Sequence, residues 1–406
     1  MKPLILSFAQ LNLTIGDLSG NIARMTAAAQ KAAAAGAQLV IFSELALTGY
    51  PPGDLLDEPD FLLRLDVARA GLLDASRLTP GLHWVAGTPT RRQGPGKALE
   101  NSLLVIKNGK VVLGYAKQLL PTYDVFDERR HFEPGPDVAR ALEIGGTKIG
   151  FLICEDAWND TGKNYPVNPL ARLAAAKPDL VVTINASPSN IGKREERHAI
   201  FAAASRRHEL PMIYVNQIGG HDQLVFDGAS FAVTPKAGVV FEASRFTKDV
   251  ATLQFRDGEF SCLESKTLTG PVPSAGLPVM AFYRRQIVLG LSDYARRCGF
   301  RKVVVGSSGG IDSALTLALA AEALGPENVV AVTLPSRFSS AGSVDDSVAL
   351  CRNLGIELFK HPIRNIVAQY EQGFEAAFGK PLKGVALENL QARVRGTILM
   401  EYSNQF

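Results

Sequence analysis

From residue 279 onward the sequence alternates helix-like and strand-like segments, and this alternation limits the fold more than any other feature. Helical spacing of apolar residues covers 279–297, 313–324 and 342–354, while short β-branched or apolar runs cover 302–305, 329–333 and 357–360. Strands separated by helices pair in parallel, which predicts an open α/β sheet with crossover helices. In such sheets ligands bind beyond the carboxyl ends of the strands. One strand end carries a distinctive turn: Val303-Val304-Val305 runs into Gly306, Ser307, Ser308, Gly309, Gly310, Ile311, Asp312 and Ser313, and a helical run follows. A glycine-rich turn feeding a helix N-terminus presents free backbone N–H groups and the positive end of the helix dipole to an anion. Ser307, Ser308 and Ser313 add hydroxyl donors. The turn is not a Walker A loop, since no lysine lies between Val303 and Leu324, and it does not fit G-x-G-x-x-G.

The first 255 residues or so read differently. Strands are expected at 4–11, 38–42, 83–87, 148–154, 180–185 and 212–216, and helices at 21–35, 61–73 and 194–208. Asn108-Gly109 between 102–107 and 110–115 marks a two-residue hairpin, and 231–234 with 239–242 marks a second. Mixed strand pairs and helices predict layers of sheet covered by helix. Three prolines and a glycine at 271–278 suggest a linker between two domains, a number that 406 residues also favour.

Composition bounds the function class. With 46% hydrophobic and 20% charged residues the chain reads as globular, and a formal charge of +3 offers neither a nucleic-acid surface nor a membrane-binding face. The four cysteines, Cys154, Cys262, Cys298 and Cys351, are too far apart for a C-x-x-C zinc or disulfide pattern, which fits a reducing, cytoplasmic setting. No signal peptide and no apolar run of 18 residues is visible.

Cys154 closes the apolar run 149–153 and precedes Glu155-Asp156-Ala157-Trp158. A cysteine at a strand end is where a nucleophile is exposed, but two acidic neighbours disfavour its thiolate, so it needs a helper. None of the six histidines stands in a papain-like context. Glu44, just past the strand ending Val40-Ile41-Phe42, is a candidate base, and Lys117, just past a hairpin strand, is a candidate oxyanion partner. Taken singly, a surface ion pair, a solvated lysine and a small core cysteine are the better explanations.

In context the three residues say more. F-S-E-L-x-L-T-G-Y around Glu44, Y-A-K-x-L-L-P-T-Y around Lys117 and I-C-E-D-A-W around Cys154 resemble the Glu-Lys-Cys triad of the nitrilase (carbon–nitrogen hydrolase) superfamily. S-G-G-x-D-S from Ser308 to Ser313 resembles the pyrophosphate loop of enzymes that split ATP into AMP and pyrophosphate. Both halves in one chain resemble the glutamine-dependent NAD+ synthetase family over essentially the whole sequence. That resemblance implies a nitrilase-like α-β-β-α sandwich at 1–268, a linker at 269–278, and at 279–406 a doubly wound parallel sheet of the adenine-nucleotide alpha hydrolase type. It further implies that Tyr123, Ser187 and Lys193 line a glutamine pocket and that 306–313 holds ATP. Asp312 is implied to reach Mg2+, with helix N-cap as its purely structural alternative. Asn389 is implied to contact deamido-NAD+, Arg337 either a phosphate or only solvent. Glu128 is either the extra acid that nitrilases set beside the lysine or a solvated partner of Arg129 or Arg130. No tightly bound cofactor is expected beyond ATP with Mg2+, no nucleic acid and no membrane, and the resemblance implies a homo-oligomer. The family's later S-T-G-N-K-S-E motif does not occur before Phe406, so the synthetase half is expected to be incomplete. Three other readings stay open: a stand-alone amidase with a vestigial second half, a non-catalytic nucleotide-binding protein, and another ATP-pyrophosphatase amidotransferase. The last kind pairs its loop with other glutaminase types.

Overall fold

The computed structural model describes residues 3–263 and 276–406, and most of the expected 269–278 linker lies outside them. The chain divides into two compact units, Met1–Phe282 and Tyr283–Phe406.

The first unit holds two large sheets. Strands β1 (Leu4–Gln10), β2 (Leu39–Ile41), β3 (His83–Arg91), β4 (Leu99–Lys107) and β5 (Lys110–Ala116) belong to one; β6 (Ala141–Ile144), β7 (Thr147–Ile153), β8 (Leu180–Ile184) and β9 (Met212–Val215) belong to the other. A separate antiparallel pair, β10 (Ile218–His221) and β11 (Leu224–Asp227), follows. Strands β12 (Phe231–Thr234) and β13 (Gly238–Glu242) return to the second sheet, while β14 (Asp249–Arg256) and β15 (Glu259–Cys262) return to the first. The sheet orders are β15-β14-β1-β2-β3-β4-β5 and β13-β12-β9-β8-β7-β6. Each has a parallel centre, β1-β2-β3 in one and β7-β8-β9 in the other, flanked by antiparallel strands.

Strand periodicity explains the layering. Leu39, Ile41, Val85, Leu103 and Val105 share one core with Ile149, Phe151 and Ile153 of the other sheet. Their alternating neighbours Val40, Trp84, Ala86, Leu104 and Ile106 instead face a second core with helices α1 (Leu18–Ala34) and α2 (Pro59–Ser76). Helices α3 (Pro169–Ala175) and α4 (Lys193–His208) pack through Leu170, Leu173, Phe201 and Ala204. The arrangement is the expected α-β-β-α sandwich. Asn108 and Gly109 both take positive φ, 45° and 79°, in the hairpin joining β4 to β5.

The second unit contains α5 (Val279–Arg297) from Tyr283 onward, β16 (Val303–Ser307), α6 (Ile311–Leu324), β17 (Val329–Thr333), α7 (Ala341–Leu354), β18 (Glu357–Lys360), α8 (Arg364–Phe378) and α9 (Val385–Gln405). The strands form a parallel sheet in the order β16-β17-β18. Val329 and Ala331 pack with Leu317 of α6 and Cys351 of α7. Val330 and Val332 pack with Val367 of α8 and with Val394 and Ile398 of α9. Helices therefore cover both faces, and a strand buried on both faces reads as the unbroken apolar run seen at 329–333.

Candidate active site

Glu44, Lys117 and Cys154 lie at or just past the ends of three different strands, β2, β5 and β7. Lys117 Nζ donates to Glu44 Oε1 at 2.7 Å and to Glu128 Oε1 at 2.7 Å, and both ends of each pair are buried. Glu128 is thus no surface partner of Arg129 or Arg130. It also accepts from the Tyr50 hydroxyl at 3.1 Å. Asn101 Nδ2 donates to Glu44 Oε1 at 2.7 Å, and the Ala186 N–H donates to Glu44 Oε2 at 3.1 Å. Gly87 of β3 lies directly against the backbone that carries Glu44: a Cβ there would stand 2.3 Å from the Leu45 nitrogen. Only glycine allows that approach.

One ammonium between two carboxylates leaves a net negative charge in a water-excluded space. Burial pushes Glu128 up to about 7, against the opposing pull of Lys117 and with a further push from Glu44. Burial acts against the charge of Lys117 as well, but Glu128 and Glu44 outweigh it and hold the ammonium charged well beyond its ordinary range. Burial, then the negative charge of Glu44, push the Cys154 thiol well above its ordinary value, with Lys117 opposing and Glu155 adding to the rise. Cys154 therefore rests as a neutral thiol, which would need a base to become a thiolate. Cys154 itself opens a short helical turn, Cys154–Ala157, rather than ending the strand as expected, and its φ of 43° is a left-handed conformation that costs a non-glycine residue energy. The turn is held by Asp156, whose carboxylate accepts from the N–H groups of Gln118 and Leu119 at 3.0 and 2.8 Å and from the Tyr115 hydroxyl at 2.7 Å. The Cys154 turn and the strand end carrying Lys117 are therefore tied together.

The three residues assigned to a glutamine pocket each adjoin this set. The Tyr123 hydroxyl donates to the Glu155 carboxylate at 3.0 Å, as does that of Tyr165. Lys193 Nζ stands 4.3 Å over the Trp158 ring and pairs with Glu196 at 2.9 Å. Ser187 follows Ala186, and its carbonyl accepts from the buried Arg197 at 2.8 Å. Sequence reasoning left out Asn101, Tyr50, Glu155, Tyr165 and Arg197. Their roles depend on partners far away in the chain; only Glu155, next to Cys154, and Tyr50, closing the motif around Glu44, carried a local signal.

In the second unit the 306–313 turn sits between β16 and α6. A cavity of about 160 Å3 opens there, lined by Gly306, Ser307, Ser308, Leu334, Ser343 and Arg395 among others, at the carboxyl ends of β16 and β17. Gly309 has φ 81°, and a Cβ on it would meet the Ser343 carbonyl oxygen at 2.3 Å. Ser308 and Ser313 brace the turn through Oγ–Oγ contact at 3.1 Å, and Gly310 N–H donates to Ser308 Oγ at 3.2 Å. The Ser307 hydroxyl is not a free donor, because it is committed to Ser347 at 2.8 Å. Helix α6 starts at Ile311 with Gly310 as its N-cap, so Asp312 lies exposed in the first turn and does not cap the helix. Ile311 is exposed as well. Arg337 pairs with Glu371 at 2.8 Å and is half exposed. Asn389 is exposed on α9 and does not line the 160 Å3 cavity; Arg395, two turns on, does. A single acidic side chain fits Mg2+ that arrives on phosphates, since that ion keeps most of its ligands from substrate and water. Among the described residues the one cluster of three metal-type side chains, Asp54, Asp57 and His131, is in the first unit, where ion pairs with Arg130 account for both aspartates. No helix among the described residues is long and apolar enough to cross a membrane.

Residues 6–257 match the Carbon-nitrogen hydrolase family and residues 283–406 the NAD synthase family. A glutamine-dependent NAD(+) synthetase of Synechocystis sp. is 41% identical over 99% of this chain and 72% of its own length. The structure of a glutamine-dependent NAD+ synthetase from Acinetobacter baumannii in complex with ADP superposes with a TM-score of 0.90 at 34% identity, over all of this chain and 73% of that one. An amidase of the nitrilase superfamily from Nesterenkonia shares the fold of the first unit, with a TM-score of 0.55 at 23% identity over 63% of this chain and 91% of its own. Joined to the buried Glu44–Lys117–Glu128 set beside Cys154 and to the glycine turn at 306–313, these matches place the chain in the family of glutamine-dependent NAD+ synthetases.

Proposed function

We propose that the unit carrying Glu44, Lys117 and Cys154 releases ammonia from glutamine, and that the unit carrying 306–313 uses it to amidate deamido-NAD+ at the expense of ATP. The observation that carries the first half is the buried set of one ammonium and two carboxylates beside a neutral, strained cysteine. Glu44 takes the thiol proton as Cys154 Sγ attacks the side-chain carboxamide carbon. An ammonium has three N–H donors, and Lys117 spends two on Glu44 and Glu128, leaving one for the developing oxyanion. The proton held by Glu44 passes to the departing nitrogen, which leaves as ammonia, and a thioester remains. Glu44 then takes a proton from water, the hydroxyl adds to the thioester, and collapse returns the proton to Cys154 with glutamate as product. Tyr123, Ser187 and Lys193 would hold the amino-acid end of glutamine.

In the second unit the 306–313 backbone would hold the phosphates of ATP, with Asp312 toward Mg2+, whose charge would offset that of the phosphates. The nicotinate carboxylate attacks the α-phosphorus, pyrophosphate leaves, and ammonia displaces AMP from the acyl-adenylate. Asn389 would contact the dinucleotide. We place the amidase domain at 1–268 and the synthetase domain at 279–406. The NAD synthase match over the second unit weighs against a stand-alone amidase. The test is a paired assay with glutamine, ATP, Mg2+ and deamido-NAD+. Glutamate should form in the wild type and not in Cys154→Ala, and pyrophosphate should form with NAD+. Glutamate release that survives Cys154→Ala overturns the first half, and NAD+ without pyrophosphate overturns the second.

A further inference from the structure

We propose that Asn101 is a positioning residue of the amidase site, whose side-chain amide places the negative charge on Glu44 and leaves the shared proton to Glu128. The proposal rests on the amidase reading above and adds the device that tells two neighbouring carboxylates apart.

Asn101 is fully buried on β4 and touches every charged member of the Lys117 set. Its carbonyl accepts from the Lys117 N–H at 2.8 Å. Its Nδ2 lies 2.7 Å from Glu44 Oε1 and 3.4 Å from Glu128 Oε2. A primary amide has two N–H bonds, so one Asn101 serves both carboxylates, but unequally. The donors on Glu44 stand at 2.7 Å from Lys117, 2.7 Å from Asn101 and 3.1 Å from the Ala186 N–H. Those on Glu128 stand at 2.7 Å from Lys117, 3.1 Å from Tyr50 and 3.4 Å from Asn101. Short hydrogen bonds to a carboxylate favour its charged form. A buried site with one ammonium and two carboxylates favours one extra proton, and the less well served carboxylate takes it.

The orientation of the amide is dictated by this arrangement. Asn101 Oδ1 is buried and has no hydrogen-bond partner. Turning the amide over would satisfy nothing and would set its oxygen against two carboxylates. A buried carbonyl left unpartnered is unfavourable, and here it accompanies two N–H groups directed at the base and its neighbour. The charged and titratable groups around the pair are Lys117 from the end of β5, Tyr50 from the loop after β2, Cys154, Glu155 and Asp156 from the turn after β7, and Tyr165 from the loop before α3. None of these favours Glu44 over Glu128 as Asn101 does by 0.7 Å.

The test compares wild type, Asn101→Ala and the near-isosteric Asn101→Asp in the full chain. Three quantities are measured: kcat and KM for glutamine hydrolysis across pH 5–9, the pH dependence of Cys154 alkylation by iodoacetamide, and the melting temperature. Loss of a hydrogen bond to a charged group lowers kcat about 10- to 100-fold. KM stays within about twofold, because the amide nitrogen is directed at the two carboxylates. The acid limb of both profiles moves to higher pH, further for Asn101→Asp than for Asn101→Ala, because the anionic state of the coupled set has lost a donor and then gained a charge. Limbs that stay in place, with kcat falling only in step with the folded fraction, overturn the proposal. Alkylation needs no glutamine. A shifted alkylation limb without glutamine hydrolysis would therefore sustain Asn101's role and overturn the substrate, whereas an unshifted limb with normal hydrolysis would do the reverse.

Discussion

Gly87→Ala is the sharpest test of how the fold places the base. The added Cβ would meet the Leu45 nitrogen at 2.3 Å, the Ser43 oxygen at 2.7 Å and the Glu44 carbonyl carbon at 2.8 Å. All three are backbone atoms, so no side chain can swing aside. Ordinary contact begins at 3.4 Å, so the 43–45 segment must retreat by about 1.1 Å. Strand β3 cannot supply the space, because it is hydrogen-bonded between β2 and β4, with Gly87 opposite Leu103. The Glu44 carboxylate is held at 2.7 Å by both Lys117 and Asn101, and a shift of that size breaks those contacts. A misplacement of about 1 Å at a catalytic group costs on the order of 100-fold in rate, and overpacking of this kind costs about 1–3 kcal/mol in stability. The assay is kcat for glutamine hydrolysis, with thermal melting alongside and calorimetric ATP binding as a control on the second unit. Wild-type kcat in folded Gly87→Ala would refute the claim that this contact places Glu44.

Glu128→Gln should flatten the pH dependence of stability. A carboxyl raised from 4.5 to about 7 contributes stability that is complete below 4.5 and lost as pH rises through 7, a span worth about 3 kcal/mol. Urea unfolding at pH 5 and pH 8 should therefore differ less in the variant than in wild type; equal differences would contradict the buried, proton-holding role. Lys117→Met removes the cation and leaves two carboxylates buried together, which should abolish glutamine hydrolysis and cost about 3–5 kcal/mol at neutral pH, with partial recovery of stability at pH 5. Stability unaffected at pH 8 would show that the pair is not buried in solution. Gly309→Ala places a Cβ against the Ser343 carbonyl at a φ of 81°, so calorimetry should find ATP binding lost while glutamine hydrolysis continues. Undiminished ATP binding would remove the 306–313 turn from the nucleotide site.

Much of this protein is written in local sequence. The parallel sheet of the second unit follows from alternating periodicity, and the 306–313 turn from its glycines and hydroxyls, because backbone conformation is decided within a few residues. Glu44, Lys117 and Cys154 could be singled out because each follows a strand end inside a motif. Other features were hidden. Helix α8 and the returning strands β14 and β15 gave no sequence expectation, and β14 joins β1 from some 245 positions away. Asp312 reads as a cap in sequence, yet Gly310 takes that position because the helix begins two residues earlier than the side chains suggest. Glu128 beside two arginines reads as a solvated ion pair. Only the packing of the loop before it turns the carboxylate inward to Lys117 and Tyr50. The sequence by itself determined which chemical groups are available and which strand ends present them. Tertiary structure decided which two carboxylates flank the lysine, that burial pushes Glu128 up, and why the cysteine rests as a thiol. Those properties are set by desolvation and by distances of a few ångströms between residues far apart in the chain, and no local pattern encodes either.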